Sequence, residues 1–238
     1  MKKLNQSHSG IFIVGTDTSV GKTVVSLLLM QFFYKYGIPP FYLKPMQTGC
    51  KSPTDTESDA RFIYEHIPEL KFQNPKNSIL YCFKTAKAPL FAAQNESSKI
   101  PFFDMINTIN QKIEDHAPVI IEGAGGLMVP IDQTNLIIDL ISNINAIPII
   151  VGRAGLGTIN HCLLTIDALK IRSINPLGVI LSDSGALPVS DEMLKENIEA
   201  IENFSKVKVL GVIKKIDNFN YILDEYFEMI KKILTMQS

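Results

Sequence analysis

Residues 11–14 form an unbroken apolar run, and directly behind it stands Gly15-Thr16-Asp17-Thr18-Ser19-Val20-Gly21-Lys22-Thr23. Apolar residues then recur at helical spacing over residues 20–36, up to Gly37. A buried strand, a glycine-containing turn carrying Lys-Thr, and a helix in that order leave few folds open. The helix has to cross back over a parallel sheet, and the turn has to expose backbone N–H groups where the helix begins. Anions collect at such a point. The turn therefore reads as a phosphate cradle, with Lys22 reaching the outer phosphoryl oxygens and the Thr23 hydroxyl set on Mg²⁺. It is a variant cradle, because Thr16 stands five residues before Gly21 where the strict pattern has glycine, and Gly15 lies one residue further back.

The rest of the chain repeats the strand-then-helix alternation. Short apolar runs at residues 41–43, 119–121, 147–151, 177–181 and 207–212 suit strands buried on both faces. Between and after them, residues 101–116, 157–172, 190–204 and 219–235 carry helical patterns. The expected fold is α/β: a doubly wound, mostly parallel sheet with helices on both faces, of P-loop NTPase type. Within residues 73–101 only an edge strand at 79–83 and a short helix at 90–94 are expected. With 238 residues, 46% of them hydrophobic, and no linker, the chain is expected to form one domain over residues 1–238, residues 1–10 being a flexible N-terminal extension.

Charge and cysteines narrow the partners. The formal net charge of −1 gives no field for nucleic acid or an anionic membrane, so a small molecule is the expected partner. Three cysteines, Cys50, Cys82 and Cys162, have no metal-ligand spacing and suggest neither a disulfide framework nor a zinc site. No signal-peptide core and no run of eighteen apolar residues is present, so the expected location is the cytoplasm.

Other polar groups fall where the strands end. Val119-Ile120-Ile121-Glu122 opens into Gly123-Ala124-Gly125-Gly126, which puts Glu122 at the carboxyl edge of the sheet beside the phosphate loop, in position to serve the magnesium ion. Lys44, in Lys44-Pro45-Met46-Gln47-Thr48-Gly49, reaches the same edge and reads either as a surface lysine or as a holder of a developing anion, with Thr48 a donor to substrate. Asp59 is either a helix cap or a second metal-directed carboxylate. Gly152-Arg153-Ala154-Gly155-Leu156-Gly157-Thr158-Ile159-Asn160-His161 is either an ordinary turn or a carboxylate-binding helix start; nothing makes His161 a general base.

Taken in order from about residue 11 to 170, the phosphate loop, Lys44-Pro45 with Thr48-Gly49, Ser58-Asp59-Ala60, the Glu122-to-Gly126 loop and Gly155-Leu-Gly-Thr-Ile-Asn-His161 resemble the dethiobiotin synthetase family. That resemblance implies a cyclo-ligase joining CO2 to 7,8-diaminononanoate with ATP as co-substrate, through a phosphorylated carbamate. It implies that Lys22 and Lys44 act on the carbamate and the transferring phosphoryl group, and that Thr23, Asp59 and Glu122 surround Mg²⁺. The nucleotide would be held by Ser19, Val20, Gly21, Lys22, Thr23 and Val24, by Glu122, Gly123, Ala124 and Gly125, and at its base by Ser182 and Asp183. Thr48 would contact the diamine or carbamate, and Gly157, Thr158, Ile159 and Asn160 would bind its carboxylate from a neighbouring subunit, which implies a homodimer. Two departures leave base selectivity open: Ser182-Asp183 stands where many members have Asn-Asp, and Ile213-Lys214-Lys215 where they have a proline. A partition-type ATPase switch is a rival, but such proteins carry lysine where this chain has Asp17. An amidating synthetase of the cobyrinate type is another, and it needs a glutaminase domain for which 238 residues leave no room.

Overall fold

The computed structural model describes residues 10–183, 185 and 188–235; the expected N-terminal extension lies outside them except for Gly10, which is buried and opens the first strand. The described residues contain β1 (Gly10–Gly15), α1 (Lys22–Lys35), β2 (Phe41–Thr48), α2 (Asp59–Glu65), β3 (Ile79–Phe83), α3 (Pro89–Asn95), α4 (Phe102–Asp115), β4 (Val119–Gly126), α5 (Ile137–Ser142), β5 (Ala146–Arg153), α6 (Thr158–Ile171), β6 (Gly178–Asp183), α7 (Asp191–Ser205), β7 (Val209–Lys214) and α8 (Asp224–Thr235). The strands make one seven-stranded sheet in the order β3-β2-β4-β1-β5-β6-β7, every pair parallel. The doubly wound fold expected from the alternation is the one observed.

Side-chain alternation along each strand divides the core in two. Ile11, Ile13, Ile120, Ile149, Val151 and Ile180 face α1, α2 and α8, whereas Phe12, Val14, Val119, Ile121, Ile150, Val179 and Leu181 face the helices α3 to α7. A sheet covered on both faces needs apolar residues on both, which is why the central runs show no polar alternation. The edge strand expected at residues 79–83 is β3, and the short helix expected at 90–94 is α3. Four differences have local causes. β2 and β4 continue past their apolar runs into polar residues, because Lys44, Gln47 and Thr48 still pair with β3, and Glu122 and Gly126 with β1. α5 lies in an apolar stretch with no helical period to mark it. It starts where the Asp139 carboxylate accepts the Leu136 N–H at 2.8 Å. α8 begins at Asp224 rather than at residue 219, because the Phe219 carbonyl is held by Gln31 at 2.6 Å and its ring packs on Phe62.

This winding puts the loops after β1, β2, β4, β5 and β6 at one edge. β1 lies between β4 and β5, the reversal point where open parallel sheets form their crevice.

Candidate active site

The phosphate loop is pinned before any ligand arrives. The Thr16 N–H donates to the Val151 carbonyl at 2.9 Å, tying the loop to β5. Ser19 and Gly21 both have positive φ, at 56° and 99°, which turns successive amides inward toward one point. At Gly21 a side chain is excluded twice, by its left-handed backbone and by the Ser182 hydroxyl, 2.7 Å from where a Cβ would stand. The first turn of α1 contributes no acidic residue of its own to its positive end. Lys22 is folded back with its Nζ donating to the Asp17 carbonyl at 3.0 Å. Burial, and next the Lys44 ammonium, pull its pKa down to about 8.

Strand register brings the other charges in. Leu43 lies opposite Ile121, so the following residues, Lys44 of β2 and Glu122 of β4, emerge side by side on the α1 face. The buried Lys44 Nζ lies 2.8 Å from Glu122 Oε1 and 2.6 Å from Asp59 Oδ2. Burial alone would lower this ammonium, but Glu122 and Asp59 together raise it, so Lys44 is a fixed positive charge and not a base. Asp59 is moved the other way: burial raises its carboxyl, and Lys44 overrides that and lowers it. Of the two roles open for Asp59, the cap belongs to its neighbour Ser58, whose hydroxyl accepts the Arg61 N–H, although Asp59 does sit in the first turn of α2. Lys44 is likewise no surface lysine. The Thr23 hydroxyl lies 2.9 Å from Glu122 Oε1 and 3.2 Å from Asp59 Oδ1 and shares its one proton between them.

Thr23, Asp59 and Glu122 thus present three hard oxygen donors at one point. Among the described residues no group of three His, Cys, Asp or Glu gathers to cage a metal. Mg²⁺ needs no such cage, since it keeps several waters and takes one or two carboxylates together with substrate phosphate. The donor set fits that ion.

A cleft of about 670 Å³ opens over these groups. Its lining includes Ser19, Gly21, Lys22, Thr23 and Val24 of the loop and α1, Lys44, Thr48 and Asp59, and Glu122, Ala124 and Gly125. Val20 is buried beneath the loop, and Gly123 offers its carbonyl to Lys44 at 3.4 Å. The segment 86–89, whose place the sequence left open, also lines it. Ser182 lies behind Gly21, and Asp183 accepts the Val189 N–H. Lys214 donates its own N–H to the Tyr226 hydroxyl. Gly157, Thr158, Ile159 and Asn160 form the start of α6 outside the lining of this cleft, with Gly157 left-handed at φ 91° and Leu156 beside it 95% exposed. Asp17, where switch ATPases have lysine, pairs instead with Arg153 at 2.8 Å.

Two contacts had no signal in the sequence. Tyr42, buried among the apolar residues under α1, donates its hydroxyl to Glu122 Oε2 at 2.9 Å. Burial, and then the Glu122 charge, push this phenol well above its ordinary value, so it stays a donor. The side chain of Gln47 accepts the Asp59 N–H at 3.2 Å. The only hint was the period of two along β2, which sets Tyr42 on the same face as Lys44.

Known proteins resemble this chain over most of its length. Residues 9–220 match a family model described as an AAA domain. An ATP-dependent dethiobiotin synthetase of Paramagnetospirillum magneticum is 36% identical over 86% of this chain and 87% of its own length. One of Lysinibacillus sphaericus is 35% identical over 92% and 95%. A biotin biosynthesis bifunctional protein of Bordetella avium is 38% identical over 87% of this chain, which spans 40% of that longer protein. Among solved structures, the MinD cell division protein of Aquifex aeolicus superposes with a TM-score of 0.54 at 15% identity, over 96% of this chain and 94% of that one, which is a likeness of fold alone. With its phosphate loop, its Lys44–Asp59–Glu122 cluster and relatives of this identity and coverage, the chain belongs to the ATP-dependent dethiobiotin synthetase family of P-loop cyclo-ligases.

Proposed function

We propose that this enzyme closes the ureido ring of dethiobiotin on 7,8-diaminononanoate, using CO2, with ATP cleaved to ADP and phosphate. The observation that carries this reading is the convergence of two lysines and two carboxylates over one phosphate loop, in a cleft of about 670 Å³. An amine of the substrate and CO2 give a carbamate and a proton. The carbamate oxygen attacks the γ-phosphorus and ADP leaves. The second amine then attacks the carbonyl carbon of the mixed anhydride, phosphate departs, and the ring closes with loss of a proton. Such chemistry asks for alignment and charge neutralisation more than for an acid or a base.

The chain's residues suit those roles. Lys44, kept protonated by its two carboxylates, holds the carbamate oxygens. Lys22, released from the Asp17 carbonyl, follows the γ-phosphoryl group. Ser19 to Val24, with Glu122 to Gly125, hold the phosphates, and Ser182 and Asp183 lie toward the base. Thr23, Asp59 and Glu122 would hold magnesium, which would supply positive charge to neutralise the transferring phosphoryl group. Thr48 contacts the diamine. The α6 start at Gly157 to Asn160 takes the substrate carboxylate of a second subunit, which accounts for its standing outside its own chain's cleft and makes the enzyme a homodimer. The reaction is proposed to run in the cytoplasm, where ATP and such small substrates are met.

Phosphate release from ATP with magnesium and bicarbonate tests the assignment. Release should depend on 7,8-diaminononanoate and vanish in Lys22→Ala. Release that ignores the diamine would sink the substrate while leaving the nucleotide site standing.

A further inference from the structure

We propose that Tyr42 is a positioning residue for Glu122, dividing its carboxylate so that Oε2 is held from the protein interior and only Oε1 faces the cleft. The inference rests on the reading of Glu122 as a partner of the magnesium–nucleotide complex. Glu122 is 1% exposed and has two sets of partners. Oε1 meets Lys44 at 2.8 Å and Thr23 at 2.9 Å, both on the cleft side. Oε2 meets the Tyr42 hydroxyl at 2.9 Å, on the core side.

Tyr42 reaches Glu122 diagonally, since its own neighbour across the ladder is Ile120, one side-chain pair earlier on the same face. A tyrosine there fills the same space as phenylalanine would in the cluster with Phe32 and Phe33; the hydroxyl is what the packing does not require. As a neutral donor it satisfies Oε2 without cancelling the charge, so the whole anion remains available to cations on the other side. Without it, a buried carboxylate oxygen would lack a donor and the side chain could turn about its terminal torsion to bring both oxygens to Lys44. Tyr42 therefore sets how Glu122 faces the ion without touching substrate. Partners of this kind behind a metal ligand change metal affinity by roughly 10–100-fold when removed.

The test is calorimetric titration of the full chain with a non-hydrolysable ATP analogue, in EDTA and in excess magnesium chloride. In wild type, magnesium should tighten binding. Tyr42→Phe should lose roughly tenfold of that magnesium-dependent gain, with magnesium-free affinity nearly unchanged and the unfolding temperature lowered by no more than a few degrees. Tyr42→Met removes the same hydroxyl with different packing and should show the same loss. In a Glu122→Gln background, Tyr42→Phe should add nothing. A full magnesium gain in Tyr42→Phe, an equal loss with and without magnesium, a loss in only one of the two variants, or an additive loss in the Glu122→Gln background would each overturn the proposal. If wild type itself shows no magnesium gain, the reading of Thr23, Asp59 and Glu122 as the magnesium site falls first.

Discussion

Lys22 is buried at a cost to the fold. Its ordinary pKa near 10.5 falls to about 8 in the fold, through burial first and the Lys44 charge second. Between those values the unfolded chain binds the proton that the folded chain has released, so stability from this group rises with pH over that window, and below pH 8 the ammonium opposes folding. Lys22→Met should therefore raise the unfolding temperature at pH 7 by roughly 5 °C. The difference should shrink as the pH climbs from 8 toward 10.5. Scanning calorimetry of both proteins across that range decides it, and a variant that melts lower at pH 7 would refute the account. Lys22, Thr23 and Glu122 were legible because their meaning is local: a turn, a helix start, a strand end. Tyr42 and Gln47 were not. A tyrosine inside an apolar strand looks like core, and its hydrogen-bond partner stands eighty residues away in the chain. Lys44 and Asp59 stood between these cases, each with two local readings that only the register of β2 against β4 separates.

At the scale of elements, the glycine-rich loop between β5 and α6 is fixed by its neighbours rather than by itself. The Ala154 N–H donates to the Ser182 carbonyl at 2.9 Å, and the buried Asn197 of α7 donates its amide to the Ala154 carbonyl at 2.9 Å. α7 thus holds the backbone from which the proposed carboxylate site projects. Asn197→Ala should raise KM for the diamine several-fold while leaving the affinity for an ATP analogue unchanged, and should lower stability by about 1–2 kcal/mol. Steady-state kinetics paired with denaturant unfolding would show this; an equal loss of nucleotide affinity would mean that the phosphate loop, not the α6 loop, had moved. Asn197 gave no sign in the sequence, being one polar residue on an amphipathic helix. Helices with a clear period, such as α4 and α7, were placed within a residue or two. α5 escaped because six consecutive residues of 136–141 are apolar apart from Asp139, and such a run suits a strand equally well.

For the whole molecule, the alternation of strand and helix foretold the parallel sheet and its two covered faces, whereas the order of strands comes only from the structure, since crossovers of similar length can lead left or right. Quaternary structure remains the largest expectation. Leu156, just ahead of α6, and Leu164, midway along it, are 95% and 61% exposed, two apolar side chains on the element that carries the proposed carboxylate site. The protein should sediment at twice the mass of one chain, and Leu164→Glu should halve that mass and raise KM for the diamine, with analogue binding retained. A wild-type monomer with full activity would remove the subunit-sharing model. The position of β1 has one more effect. It leaves the ribosome well ahead of both its neighbours, since β4 and β5 are translated more than a hundred residues later. At ordinary elongation rates the nascent strand waits on the order of ten seconds, unpaired along both sides, so truncated or stalled chains that stop short of residue 153 carry an adhesive segment with no home.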